Sequence, residues 1–479
     1  MKARYLGRLS RRTWGLGILL LVCLLLVAVA AACGGGDEGE PTGSPAATGT
    51  AAATGSPAAT GTAAATGTAA ATGTAAATGS PGAQVCGPAA RQATTTSGPT
   101  PGISDTEILL GAEAILSGSN GAVYATLPGS TKAYFDYIND TQGGVCGRKI
   151  VYKVEDNQDD PAKALEAARR LVEQDKVFAM VGSLGDGPHP GSWEWLNENG
   201  VPDLLVSAGG ARFGGDPCGH PWEVQMIPSY TIDATFLGQY ISEYHPGATV
   251  AVLWENDTIG QDGFAGLKQT LDPSSNPIVA DQSYEYTAVS ISSQVANLRK
   301  SNADVFVIHG NLGFTAQAIK AADRTGWRPQ FVGPYINNDD LIFQFVSPQI
   351  VKGMVTTNAN KLAVAHDTDP AVAKHFEIMQ KYGGPAPSNF TIYAQILAEV
   401  AVEALSRSCD NLTREGIMET IESIKDFHSD LALDGVNFSF SPTDHVAYQS
   451  SIFMRATVDE KGKGRWEFFG PVRQFEGIQ

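Results

Sequence analysis

Cationic side chains are scarce in this chain: Lys and Arg number 33 against 50 Asp and Glu, for a net charge of −17. A nucleic-acid partner needs a basic footprint, so that class of function is excluded. Only eight histidines occur, scattered without metal-ligand spacing, and no H-E-x-x-H or G-x-S-x-G stretch is present. The motif-borne chemistry of zinc peptidases and of nucleophile-elbow hydrolases therefore has no carrier. No metal, no cofactor and no enzymatic activity are expected. The glycine-rich run "VGSLGDGPHPG", residues 181–191, follows an apolar segment as a phosphate loop would, yet no Lys follows its glycines. Its spacing fits neither G-x-x-x-x-G-K nor G-x-G-x-x-G, which argues against a nucleotide cradle.

What the chain does carry begins with an export signal. Lys2, Arg4, Arg8, Arg11 and Arg12 precede an apolar run from Trp14 to Ala32, and "AAAC" ends it at Cys33. Residues 1–32 are set aside as a signal peptide. Small residues before Cys33 resemble a bacterial lipobox, although Ala30 stands where such boxes usually carry Leu. Cys33 is the expected lipidation site; the alternative is an uncleaved anchor, since about 19 apolar residues also suffice to span a bilayer. Either reading places the body outside the cytoplasm, tethered to a membrane. Residues 33–102 form a low-complexity Thr/Gly/Ala tether, with a six-residue repeat of "TGTAAA" and "TGSPAA". Six is neither a helical nor a strand period, and a coil of roughly 65 residues has a mean reach of about 40–50 Å.

The remaining chain is long enough for two domains with their own cores. Cys86, Cys146, Cys218 and Cys409 are expected to form two disulfides in an oxidising compartment, with three pairings open. Strand and helix patterns alternate: "EILLGAEAI", "IVYKVED", "FAMVG" and "DLLVSA" read as strands around amphipathic helices such as "DPAKALEAARRLVEQDKV". The rhythm restarts after residue 228 with "TVAVLWEN", "SYEYT", "DVFVIHG" and "QFVGP". Two α/β units with parallel sheets covered by helices follow. A cleft between such lobes suits small-molecule capture.

The segments "AILSGSNG", "YINDTQGGVCGRKIVYKVEDNQDDPAKALEAARRLVEQDKVFAMVGS", "VQMIPSYTIDATFLGQYI" and "NFTIYAQILAEVAVEAL" with "NLTREGIMETI" carry a family resemblance. The chain from about 103 to 470 resembles the type I periplasmic-binding-protein family, nearest the branched-chain amino-acid (Leu/Ile/Val-type) ABC-transporter substrate-binding lipoproteins. The resemblance implies two doubly wound parallel-sheet lobes joined by a three-segment hinge. Lobe one would be 103–227 plus 357–437 and lobe two 228–356 plus 438–479, with crossings near Met226–Ser229, Met354–Asn358 and Asn437–Ser441. It implies a small-molecule ligand, ABC permease membrane subunits as partners, a monomer, and as alternative a sensor lipoprotein signalling to a membrane partner.

By the same resemblance, the loops after the third and fourth strands bind a ligand carboxylate. These supply Ser183, Gly185, Asp186 and Gly187, then Gly209, Gly210 and Ala211, where Ala211 replaces the family hydroxyl. Ile259 stands at a family aromatic position, and Tyr335 where an acidic residue would pair with an α-ammonium. Asn311 and Tyr124 are expected at the cleft rim, with His309, Trp254 and Trp193 as further wall candidates. No carboxylate is assigned to an ammonium, so the expected ligand is an amino acid, an amide or a carboxylate of unassigned identity.

Overall fold

The computed structural model describes residues 85–91, 100–118 and 120–476. The export signal, Cys33 and the tether up to residue 84 lie outside the described residues. The described body falls within one compact unit, Gly79–Gln479.

Two sheets organise it. The first holds β1 (Glu107–Ala114), β2 (Lys149–Asp156), β3 (Ala179–Val181), β4 (Asp203–Val206) and β5 (Glu223–Gln225). Their order is β2-β1-β3-β4-β5, and every neighbouring pair is parallel. The second holds β6 (Val250–Glu255), β7 (Ile278–Tyr284), β8 (Val305–His309), β9 (Gln330–Val332), β10 (Val355–Asn358), β11 (Ser450–Val458) and β12 (Gly464–Gln474). Its order is β12-β11-β10-β9-β8-β6-β7; β11 and β12 join antiparallel and the rest are parallel. Helices on both faces bury the central strands, so β4, β8 and β10 show no exposed residue. At the sheet edge, β7 alternates between half-buried and exposed positions instead.

Departures from the sequence reading have local causes. The expected strand "SYEYT" starts earlier, at Ile278, because it pairs with β6 in that register. The long expected helix over 160–177 is α-helical only for Pro161–Arg169, capped by Asp160, and continues as a π-turn, Arg170–Gln174. Strand β5, "EVQ", carries too few apolar residues to announce itself; its buried Glu223 and Gln225 are held by polar partners.

After β10 the chain returns to the first sheet with helices Pro370–Lys381, Asn389–Arg407 and Arg414–Ser423. Helix Asn389–Arg407 is largely buried, and its Thr391 carbonyl accepts the Ser130 hydroxyl of helix Thr126–Thr141 at 2.8 Å. The disulfides are Cys86–Cys218 and Cys146–Cys409, which selects one of the three pairings. The second ties the turn before β2 to the end of helix Asn389–Arg407. The first pins the segment 85–91 to the same lobe, where buried Arg91 grips Glu422 through two bonds of 2.6 and 2.9 Å. Among the described residues no helix is long and apolar enough to cross a membrane.

Candidate functional site

A cavity lies between the two sheets, and its volume open to the centre of a water molecule is about 110 Å³. That is on the scale of the ~150 Å³ cavity that holds a benzene ring. The first lobe contributes Tyr124, Asp159, Gly185, Asp186, Gly187 and Ser207. Glu255, Asp257, Ile259, Tyr286, Asn311 and Tyr335 come from the second. Ile227, Pro228, Asn358 and Tyr448, on the segments that run between the sheets, complete the wall with Phe390 and Tyr393.

Of the sequence-derived residues, Tyr124, Gly185, Asp186, Gly187, Ile259, Asn311 and Tyr335 meet on this wall. Ser183, Gly209, Gly210 and Ala211 are not on it. Ser183 is fully buried and gives its hydroxyl to Asp203 at 2.7 Å. The hydroxyl that the second loop does present is Ser207, bonded to the Tyr393 hydroxyl at 2.7 Å. Trp193 packs in the first lobe, stacked on His220 at 4.1 Å, and Trp254 stacks on Phe264. His309 is fully buried away from the cavity, where burial lowers its pKa to about 3. These three are packing residues.

The glycine-rich loop does not offer its neighbours' amides to a ligand. Gly185 takes φ +119°, and a Cβ there would lie 2.7 Å from Pro188 and 2.8 Å from Ile115, so only glycine fits. The turn this permits carries Asp186 toward the second loop. There Asp186 accepts the backbone N–H of Gly209 at 2.7 Å and of Gly210 at 3.2 Å. The same carboxylate accepts the Tyr230 hydroxyl at 2.8 Å and the Thr258 hydroxyl at 3.1 Å. Ala211 N–H, next in line, donates to Asp262 at 2.7 Å. The amides expected to receive a ligand carboxylate are thus bonded to the protein's own carboxylates. Tyr230, Thr258 and Asp262 belong to helices of the second lobe, so these bonds also join the lobes. Burial pushes the Asp186 carboxyl up to about 6, against the lowering effect of its four donors.

The sequence reading found no carboxylate for a cationic group; the cavity holds four. Asp159, Asp186, Glu255 and Asp257 all line it, and among the described residues none of the lining side chains is Lys, Arg or His. Glu255 accepts the Asn311 N–H at 3.0 Å and the Tyr284 hydroxyl at 2.9 Å. Asp257 caps helix Thr258–Thr270 with Oδ1, which accepts the N–H groups of Ile259 and Gly260. Burial raises the pKa of Asp257, and the charges of Glu255 and Asp186 raise it further. Burial likewise raises the pKa of Tyr124, and the charges of Glu255, Asp186 and Asp159 raise it further. Pairs such as Asp159–Asp160 look like loop charges in sequence; only the turn geometry separates Asp159 at the wall from Asp160 at a helix cap. Tyr335 stacks on Tyr230, with ring centres 5.6 Å apart and planes at 10°.

Beneath the loop, His189 bonds Glu113 at 3.2 Å and Glu223 at 3.1 Å in the sealed interior. Burial by itself lowers the His189 pKa, but the bonds to Glu113 and Glu223, with the charges of Glu223 and Asp203, raise it well above its ordinary value.

Comparison with known proteins agrees with this architecture. An amino acid binding protein of Pseudomonas aeruginosa is 24% identical over 253 residues, covering 53% of this chain and 66% of that protein, just under two thirds of its length. The leucine-specific-binding protein of Salmonella typhimurium is 22% identical over 288 residues, covering 60% and 73%. Among solved structures, a fatty acid ABC transporter substrate-binding protein from Thermomonospora curvata superposes with a TM-score of 0.67 at 21% identity, covering 78% of this chain and 94% of that one. A branched chain amino acid ABC transporter protein from Thermus thermophilus with bound valine gives 0.66 at 18% identity, covering 77% and 98%. The family described as periplasmic binding protein matches residues 107–463, three quarters of the chain, and the chain belongs to that family.

Proposed function

We propose that this protein captures a small polar solute outside the cytoplasm and delivers it to the membrane subunits of an ABC importer. The observation that carries this reading is a cavity walled by both lobes and by the segments between them. Closure around a ligand there buries it on all sides, and the ligand shifts the open–closed equilibrium by its better contacts in the closed form. The crossings near Met226–Ser229, Met354–Asn358 and Asn437–Ser441 serve as the hinge. Lipidation of Cys33 holds the monomeric body near the permease, and the tether gives it reach. Catalysis has no role in this scheme.

The test is a thermal-shift panel on the purified full chain in mild detergent, covering amino acids, amides, amines, carboxylates and polyols. A ligand that raises Tm and also contracts the particle in small-angle scattering supports capture by closure. Absence of stabilisation by every class sinks it. Partition of the exported protein into the detergent phase, abolished in Cys33→Ser, checks the anchor separately.

A further inference from the structure

We propose that the cavity selects a small organic cation that lacks a carboxylate, an amine or quaternary ammonium compound. This rests on the capture reading above and adds the charge and class of the solute. The first observation is the cradle of donors. The Gly209, Gly210 and Ala211 amides lie off the cavity wall and are bonded to Asp186 and Asp262, so they are not offered to a ligand carboxylate. Displacing Asp186 would strand a buried carboxylate beside a second anion, which is the costly arrangement for charges in a low-dielectric site.

The second observation is independent of that cradle. On the opposite wall, Asp257 Oδ2 accepts no hydrogen bond from the described residues, because the helix-capping bonds all go to Oδ1. The oxygens of Glu255 are occupied by Asn311 and Tyr284 donors, so Asp257 is the open acceptor on this wall. Asp159 also keeps one oxygen free, since Asn120 bonds only Oδ2 at 2.6 Å. The ion pairs of the described residues lie elsewhere, and none neutralises these groups. A cationic ligand supplies the missing counter-charge.

The remaining wall fits an organic cation better than a metal ion or a sugar. Among the described residues, no three of His, Cys, Asp and Glu converge closely enough to hold a metal. The amides that a polyol would need are engaged: Asn389 reaches Asn338, Asn358 reaches Asn360, and Asn360 receives the Tyr448 hydroxyl. The aromatic side chains of Tyr124, Tyr286, Tyr335 and Phe390 line the cavity, and aromatic π-systems attract ammonium groups.

Calorimetry on the full chain tests this with matched probes. Leucine, 3-methylbutylamine and 4-methylpentanoate differ only in which charged groups they carry; choline and neutral 3,3-dimethyl-1-butanol form a second pair. The amine is expected to bind at least tenfold more tightly than leucine and the acid, and choline tenfold more tightly than its neutral analogue. The variant Asp257→Asn, which keeps the helix cap, is expected to lose that preference while its melting temperature stays within a few degrees. Leucine or the acid binding as tightly as the amine overturns the charge assignment and leaves solute capture standing. If none of these probes nor any compound of the broader panel binds, both readings fall.

Discussion

The Asp186 carboxylate of lobe one accepts the Thr258 hydroxyl of lobe two at 3.1 Å, and the same oxygen takes the Gly209 N–H at 2.7 Å. One side chain thereby fills a cradle of amides and bridges the lobes. Hydrogen bonds to a charged acceptor contribute about 1.5–3 kcal/mol each, so a bridge of this kind weighs on the open–closed balance. Asp186→Ala removes it and frees four donors. Its expected effects are a larger radius of gyration in ligand-free small-angle scattering and at least a tenfold gain in leucine affinity. An unchanged radius together with unchanged leucine binding would remove Asp186 from both roles.

The buried acids and His189 set the pH response. The His189 pKa lies well above its ordinary value, so its stabilisation is complete below about 6.5 and is lost as pH rises through the folded value. Burial raises Asp186 and Asp203 to about 6, and Glu223 and Asp233 to about 7. Between pH 4 and 7 the folded state therefore holds protons that the unfolded chain has released, and stability falls as pH rises. Both signs agree. Surface acids such as Asp369, lowered first by its bond to Lys361, reverse the trend only in stronger acid. The ligand-free full chain is expected to melt at least roughly 3 °C higher at pH 5.5 than at pH 8. A melting temperature that climbs over that interval would contradict this account.

The repeated strand–helix rhythm made the two lobes legible in the sequence, because buried parallel strands such as "VAVLWE" and "VFVIH" are continuous apolar runs. The cavity was legible only in part. Tyr124, Asp186, Asn311 and Tyr335 follow strands, in a loop or at a short helix or helix start, where ligand residues are expected. Asp257 was hidden because a helix cap explains an Asp before "TIGQDGF" without any ligand. Glu255 ends a strand whose other residues are apolar, and nothing local shows that its carboxylate points to the cavity. The bond of Asp186 to the Gly209 and Gly210 amides joins residues 23 and 24 positions apart, and no spacing rule announces it. Long-range pairing of this kind comes from the arrangement of the loops, not from either loop alone.

The Cys146–Cys409 bridge joins residues 263 apart and links two separately entered parts of lobe one. Loop-closure entropy gives a bridge of that span about 5–6 kcal/mol in the chain-entropy model, with 2–4 kcal/mol typical of measured cases. Cys146→Ser with Cys409→Ser is expected to lower Tm by roughly 5–15 °C at about 2–4 °C per kcal/mol. Scanning calorimetry reads this directly. A shift under 2 °C would mean that helix packing between Thr126–Thr141 and Asn389–Arg407 holds the two parts without help.

The Cys86–Cys218 bridge acts on a different scale. The segment it secures, Val85–Arg91, contributes little core, and its main anchor is Arg91, 1% exposed against Glu422. A buried pair of this sort is costly to break, at about 3–5 kcal/mol when one partner is removed, because the other charge is left uncompensated. With the bridge intact, the buried Arg91 side chain is withheld from trypsin. In Cys86→Ser with Cys218→Ser, the segment is expected to open locally before the lobes unfold, since it contributes few buried residues of its own. Limited proteolysis followed by mass spectrometry should therefore show cleavage after Arg91 at least tenfold faster, with Tm of the body within about 3 °C of the parent. Equal cleavage rates would show that the Arg91–Glu422 pair alone secures the segment, and a large loss of Tm would show that the segment is part of the lobe's cooperative core.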